Sequence, residues 1–214
     1  MAWTRPKELS GIAQGHYQIS WWHEGKVGTA FNYHPTEGGL NYRTNLYYLE
    51  TADMGASWQN AGGEAVEVPL REVQNNALVH DYEREGVKVY LQDMNFDAEG
   101  RPIILYLTSR GWRPGPENGP RTWTTARWNG YEWEIRPVTL SDSNYDVGCL
   151  HVEADGTWRI IGPTETGPQP YNPGGEVAMW TSSDQGGVWH MVRQITANSR
   201  YNHCLLYTSD AADE

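Results

Sequence analysis

Two histidines, an arginine, two tyrosines and two carboxylates occupy matching places in a repeated pattern, and their types suit proton transfer and anion binding. Nine residues past Gly25, Gly100 and Gly156 lie His34, Ser109 and Glu165, with Arg110 beside Ser109. Nine to eleven residues before the same glycines lie His16, Tyr90 and the pair Tyr145 and Asp146. Histidine exchanges a proton near neutral pH. Tyrosine can serve as acid or base, and the arginine fork matches a carboxylate. Glu165 and Asp146 are the available pair for two-carboxylate hydrolysis of a glycosidic bond. Singly, each residue has an ordinary structural explanation: a hydrogen-bonded histidine, an arginine holding a carboxylate, a tyrosine packed between sheets. Together they stand out because the position repeats while the chemistry varies, as a binding funnel requires.

The elements that must position them are hairpins. Gly25 and Gly55, Gly100 and Gly130, and Gly156 and Gly186 are each 30 residues apart, in turn sequences flanked by apolar or aromatic residues. Two of these turns share an eight-residue pattern: Thr51 to Trp58 reads T-x-D-x-G-x-x-W, and Ser182 to Trp189 repeats it with Ser for Thr. Asp caps such a turn with its own side chain and Gly takes the positive φ. A constant offset with connectors of varying length describes one module of two hairpins used three times. The fold class expected is all-β, a β-propeller of four-stranded antiparallel blades, with about three blades present.

The blades are expected at about 11–68, 89–138 and 144–195, with a fourth beginning at 197–203. The last strand of the first blade is expected over Glu64 to Val68, followed by a long connector to Lys88. Three blades cannot close a ring, so the chain is expected to be part of a larger propeller. Residues 204–214, CLLYTSDAADE, break the pattern, resemble a translated sequencing adaptor and are set aside from the fold. In a propeller the hairpin turns lie on the face opposite the funnel. The two Asp turns are therefore expected to be structural, and the funnel residues lie at the other strand ends.

Composition narrows the partners. Lys and Arg number 16 against 27 Asp and Glu, a net charge of −11, which argues against a nucleic-acid groove. An acidic protein can still carry a local basic funnel for an anionic substrate. Eleven Trp and thirteen Tyr against two Phe favour side chains that combine apolar faces with polar handles, suited to packing between blades and to sugar stacking. No apolar run is long enough to span a membrane, no secretion signal is visible at Met1, and Cys149 and Cys204 form no disulfide framework. The spacing calls for no cofactor and shows no paired histidines for a metal, although blades can bring distant ligands together.

The Asp turns, the D-x-x-G-R-P run at Asp97 to Pro102, Arg43 to Thr51 and Gln169 to Glu176 resemble the bacterial neuraminidase repeat (BNR) propellers, more narrowly the BNR-4 type. That group is similar to propeller ulvan lyases, which cleave uronate-containing sulfated polysaccharides. The resemblance implies a polysaccharide or oligosaccharide substrate, an extracellular or periplasmic location, and funnel histidines, an arginine and tyrosines as catalytic groups. The positions matching here are His16, His34, Arg110 and Tyr145. Trp112, Arg121, Tyr171, Glu165 and Tyr82 are the expected substrate contacts, with Arg43, His80 and His203 as further rim positions. A sialidase-like hydrolase and a non-catalytic carbohydrate-binding propeller remain the alternatives. A sialidase would need an arginine cluster and a Tyr/Glu nucleophile pair, which these blades do not assemble.

Overall fold

The computed structural model describes residues 6–204. They form three four-stranded antiparallel sheets. The first contains β1 (Gln18–His23), β2 (Lys26–Tyr33), β3 (Thr44–Thr51) and β4 (Leu78–His80). The second contains β5 (Lys88–Phe96), β6 (Pro102–Ser109), β7 (Arg121–Trp128) and β8 (Trp133–Ser141). The third contains β9 (Cys149–Val152), β10 (Trp158–Glu165), β11 (Glu176–Ser182) and β12 (His190–Gln194). Each sheet is a meander in which sequential strands are neighbours.

All six counted glycines take positive φ, from 72° to 103°. In the first Asp turn, Ser57 donates its backbone N–H (2.9 Å) and its hydroxyl (2.6 Å) to the two oxygens of Asp53. Thr51 donates to the same carboxylate, and Gly55 N–H donates to Thr51 Oγ1. Asp184 repeats the arrangement with Ser182 and Val188 N–H. Both carboxylates are occupied by their own turns, which hold the sheets' far ends.

The first sheet departs from expectation. The chain after the Asp turn makes only single bridges, Glu50 with Gln59 and Gln59 with Ala65, and the fourth strand is Leu78–His80. Val66 and Val68 pack instead against a cluster on the outer face of β2 and β3, with Ile12, Phe31, Tyr47, Leu49 and Leu70.

The first strands lie side by side, β1 next to β5 and β5 next to β9. Between the first and second sheets sits a core of Ala30, Tyr48, Val89, Met94, Phe96, Ile104 and Tyr106. Between the second and third sit Ile103, Leu105, Leu107, Trp123, Leu150, Trp158 and Ile160. Residues of β6 alternate between these two cores, so the strand is apolar on both faces and reads as a continuous run, Ile103 to Leu107. Glycines admit the aromatic rings. A Cβ on Gly28 would come within 2.8 Å of Phe96, and one on Gly148 within 2.9 Å of Trp123.

This arrangement gathers the starts of β1, β3, β5, β7, β9 and β11 at one end of the sheets. The loops joining second to third strands lie at that end too.

Candidate functional site

At the linked end, a cleft of about 260 Å³ opens between the first and second sheets. Its lining includes Tyr17, Asn32, Arg43, Tyr90, Asn144 and Tyr145. Arg43 is its centre. The guanidinium carbon lies 4.6 Å from the Tyr17 ring centroid, 4.8 Å from that of Tyr90 and 5.8 Å from that of Tyr145. The short 3-10 turn Gly39–Tyr42 delivers Arg43, whose Nε donates to the Leu40 carbonyl (2.9 Å). The Tyr90 and Tyr145 rings meet edge to face at 5.4 Å.

His34 adjoins this group, its ring 4.9 Å from that of Tyr17. It is 4% exposed, and its Nε2 has no hydrogen-bond partner. Burial, then the Arg43 charge and then His16, push its pKa down to about 4, so the imidazole is neutral at neutral pH. The Tyr90 hydroxyl is also buried without a partner, and burial raises its pKa to about 12. Among the described residues eight buried side-chain polar atoms lack a protein partner, and these two lie beside one arginine, although buried polar atoms are nearly always paired.

Two asparagines set the geometry. Asn32 is fully buried: its Oδ1 accepts from Tyr17 N–H (3.0 Å), its Nδ2 donates to the Val89 carbonyl (3.0 Å), and its own carbonyl lies 2.8 Å from His16 Nδ1. It thereby ties the approach to β1 to the strand carrying Tyr90. Asn144 accepts from Arg121 Nε (3.1 Å) and donates to the Trp112 carbonyl (3.4 Å).

The nine expected site residues divide accordingly. His34 and Tyr145 join the cluster. His16 stands behind it, held by Asn32, and lines a neighbouring cleft with Phe31 and Trp58. Its pKa is lowered, chiefly by burial. Ser109 pairs with Lys88, so Arg110 leaves the second sheet at the cluster's end, exposed and outside the cluster's contacts. Trp112 is half-buried on the loop after β6, with the Arg113 guanidinium 4.9 Å from its ring centroid. Glu165 ends β10, and Tyr171 is held by its N–H donating to Asp142 (3.0 Å).

Two expected contacts sit in the interior. Tyr82 is 5% exposed, and its hydroxyl lies 2.7 Å from that of Tyr106. Arg121 is 3% exposed, and its guanidinium is engaged by Asn144 and the carbonyls of Arg113 and Gly115, so it supports a loop. Asp146 is 1% exposed, gripped by the Ser141 hydroxyl and Gly174 N–H. Burial raises its pKa to about 7. Its oxygens are committed within the fold, which removes half of the carboxylate pair. Arg43, Tyr17 and Asn144 are the cluster members the spacing did not select. The signal for Arg43 is the Arg-Thr dipeptide at the start of β3, repeated as Arg121-Thr122 at the start of β7.

Among the described residues, no three His, Cys, Asp or Glu side chains come together as a metal-ligand set, and no helix is long and apolar enough to cross a membrane.

Residues 6–141, well over half the chain, match the sequence profile of BNR repeat-containing family members. The chain belongs to this family. The chain is similar to an ulvan lyase of Nonlabens ulvanivorans, 23% identical over 177 residues, covering 73% of this chain and 34% of that protein. A solved ulvan lyase of polysaccharide lyase family PL25 superposes with a TM-score of 0.62 at 16% identity, over 85% of this chain and 42% of the other. The same kind of enzyme bound to -[GlcA(1-4)Rha3S]- gives 0.61 at 17% identity, over 89% and 45%. These likenesses identify the sheets as those of the ulvan lyase propeller fold. The BNR chain spans between about a third and a half of the length of these relatives.

Proposed function

We propose that this BNR chain carries the reaction face of a secreted polysaccharide lyase that cleaves a uronate-containing polymer by β-elimination. One observation carries the reading: the unpartnered His34 Nε2 and Tyr90 hydroxyl are buried beside an arginine that three tyrosine rings surround. Likeness to the ulvan lyases supports it.

Elimination needs three things from a protein. A cation must neutralise the uronate carboxylate, which acidifies the α proton. A base must take that proton. An acid must protonate the departing glycosidic oxygen as the C–O bond breaks and the ring gains a double bond. Arg43 is the cation inside the cleft, and Arg110 at the rim reinforces it. His34 is neutral at neutral pH, so its free Nε2 accepts the proton. Tyr145, 40% exposed against Tyr90, is placed to protonate the leaving oxygen, and Tyr90 holds its own proton as a buried donor. His16 supports the base through Asn32.

His34→Gln and Tyr145→Phe test the roles. Each is expected to lower kcat on a uronate polymer by about 100-fold or more, because each removes a proton-transfer group while leaving polymer affinity nearly intact. Unchanged kcat in both variants would overturn the assignment.

A further inference from the structure

We propose that the loop from Arg110 to Asn118 is a second anionic subsite, in which Arg113, seated over Trp112, binds the sulfate or carboxylate of a neighbouring sugar residue. The inference deepens the lyase reading and rests on it for the identity of the polymer.

The loop is built from below. Ser109 Oγ donates to the Gly111 carbonyl (2.6 Å), and Gly111 N–H donates to the Asn118 carbonyl (3.2 Å). Buried Arg121 donates to the carbonyls of Arg113 and Gly115, at 2.9 and 3.1 Å. Asn144 donates to the Trp112 carbonyl while accepting from Arg121. Through Asn144, the residue before Tyr145, the loop and the Arg43 cluster share one brace.

The loop's carbonyls at Gly111, Trp112, Arg113, Gly115 and Asn118 are thus satisfied by the protein, and the guanidinium groups of Arg110 and Arg113 take no part in that bracing. Arg113 is exposed over the Trp112 ring, and among the described residues neither it nor Arg110 has a carboxylate partner. The one acid on the loop, Glu117, accepts from Asn118 Nδ2 (3.0 Å). Among the described residues Arg71 pairs with Glu8, Arg101 and Arg127 with Asp97, and Arg159 with Glu153, while Arg84, Arg136, Arg193 and Arg200 are also exposed without an ion pair; what sets Arg110 and Arg113 apart is that the two share one braced loop with Trp112. In a chain with 27 acids and 16 Lys and Arg, two neighbouring unpaired arginines on a braced loop form an anion receptor. Trp112 adds an apolar face for the ring that carries the anion.

Equilibrium binding of a sulfated uronate polysaccharide and of the same polymer after desulfation separates the outcomes. Arg113→Ala is expected to weaken binding of at least one polymer by about tenfold, the worth of a charge-assisted hydrogen bond, and to flatten the salt dependence. A loss confined to the sulfated polymer assigns the anion as sulfate; an equal loss on both assigns it as carboxylate. Arg113→Lys is expected to retain the salt dependence but not the full affinity. Arg113 is exposed, so the melting temperature should not change. Wild-type affinity and salt dependence in Arg113→Ala on both polymers would overturn the subsite. The readout is binding, so a chain that binds without eliminating would refute the lyase reading and leave the subsite standing.

Discussion

At the scale of single residues, two buried titratable groups at the site end oppose each other. His34 has a folded pKa near 4, below its ordinary 6.5, so the unfolded chain binds the proton first and stability falls as pH drops through that interval. Asp146 has a folded pKa near 7, above its ordinary 3.8. The folded state holds that proton longer, so its contribution is present at low pH and is lost as pH rises from 3.8 to 7. Between about 4 and 6.5 the two slopes have opposite signs and cancel in part. Melting temperatures across this range should therefore vary little in the wild type. Asp146→Asn should expose the His34 slope, with melting temperature falling toward acid. His34→Gln should expose the Asp146 slope, with melting temperature falling toward neutral pH. Parallel profiles for all three proteins would contradict these environments.

The same scale shows why part of the site was hidden in the sequence. His34 and Tyr145 could be picked out as candidates because a histidine and a tyrosine at repeated turn offsets are unusual where a repeat would place an apolar residue. Tyr82 looked equally suitable by type, but its hydroxyl found Tyr106 in the core. Arg121 and Arg43 open equivalent third strands, yet one is buried under carbonyls and the other faces the cleft. Residue type and spacing carry no information about which partner reaches a guanidinium first.

At the scale of elements, the sheets are joined by aromatic rings entering gaps left by glycine. Trp123 on β7 is fully buried against Gly148 and Gly162 of the third sheet. Trp123→Ala should cost about 3–5 kcal/mol in a denaturant titration, combining lost transfer energy and the cavity. Gly162→Ala should cost about 1–3 kcal/mol by overpacking, since its new methyl would sit 3.3 Å from the Trp123 ring and 3.4 Å from Gly148 Cα. Neither side chain contacts Arg43, so the affinity for uronate polymers should survive in both. Near-zero costs would mean that the second and third sheets are not held by this interlock.

Most elements were legible because turn chemistry is local: a glycine at positive φ and an Asp that caps its own turn announce themselves in sequence. The fourth strand of the first sheet was not. Val66 and Val68 have the strand-like composition, but Leu78–His80 takes the edge of β3. Which of two suitable segments pairs with an edge is decided by the path of the intervening chain, a tertiary matter.

At the scale of the whole molecule, an acidic protein gathers five cations at one end of its sheets, beside carboxylates that include Glu37, Glu83 and Asp142. Lys26, Arg101, Arg127 and Arg159 are paired with carboxylates toward the hairpin turns or along the strands. Arg43, Lys88, Arg110, Arg113 and Arg121 gather where the strands are linked, and among the described residues none has a carboxylate within ion-pair distance. A net charge of −11 alone gives no hint of this, because it is a sum without positions.

The central claim is that this end performs elimination with Arg43 holding the uronate carboxylate. The direct measurement is ultraviolet absorbance of an unsaturated uronyl end during incubation with uronate-containing polysaccharides, beside an assay of reducing ends. Absorbance and reducing ends are expected to rise together, and Arg43→Ala to lower the rate by about 100-fold or more, because it removes a preorganised cation from the developing charge. New reducing ends without absorbance would identify hydrolysis and contradict the account. An Arg43→Ala rate equal to the wild type would contradict its placement of the carboxylate.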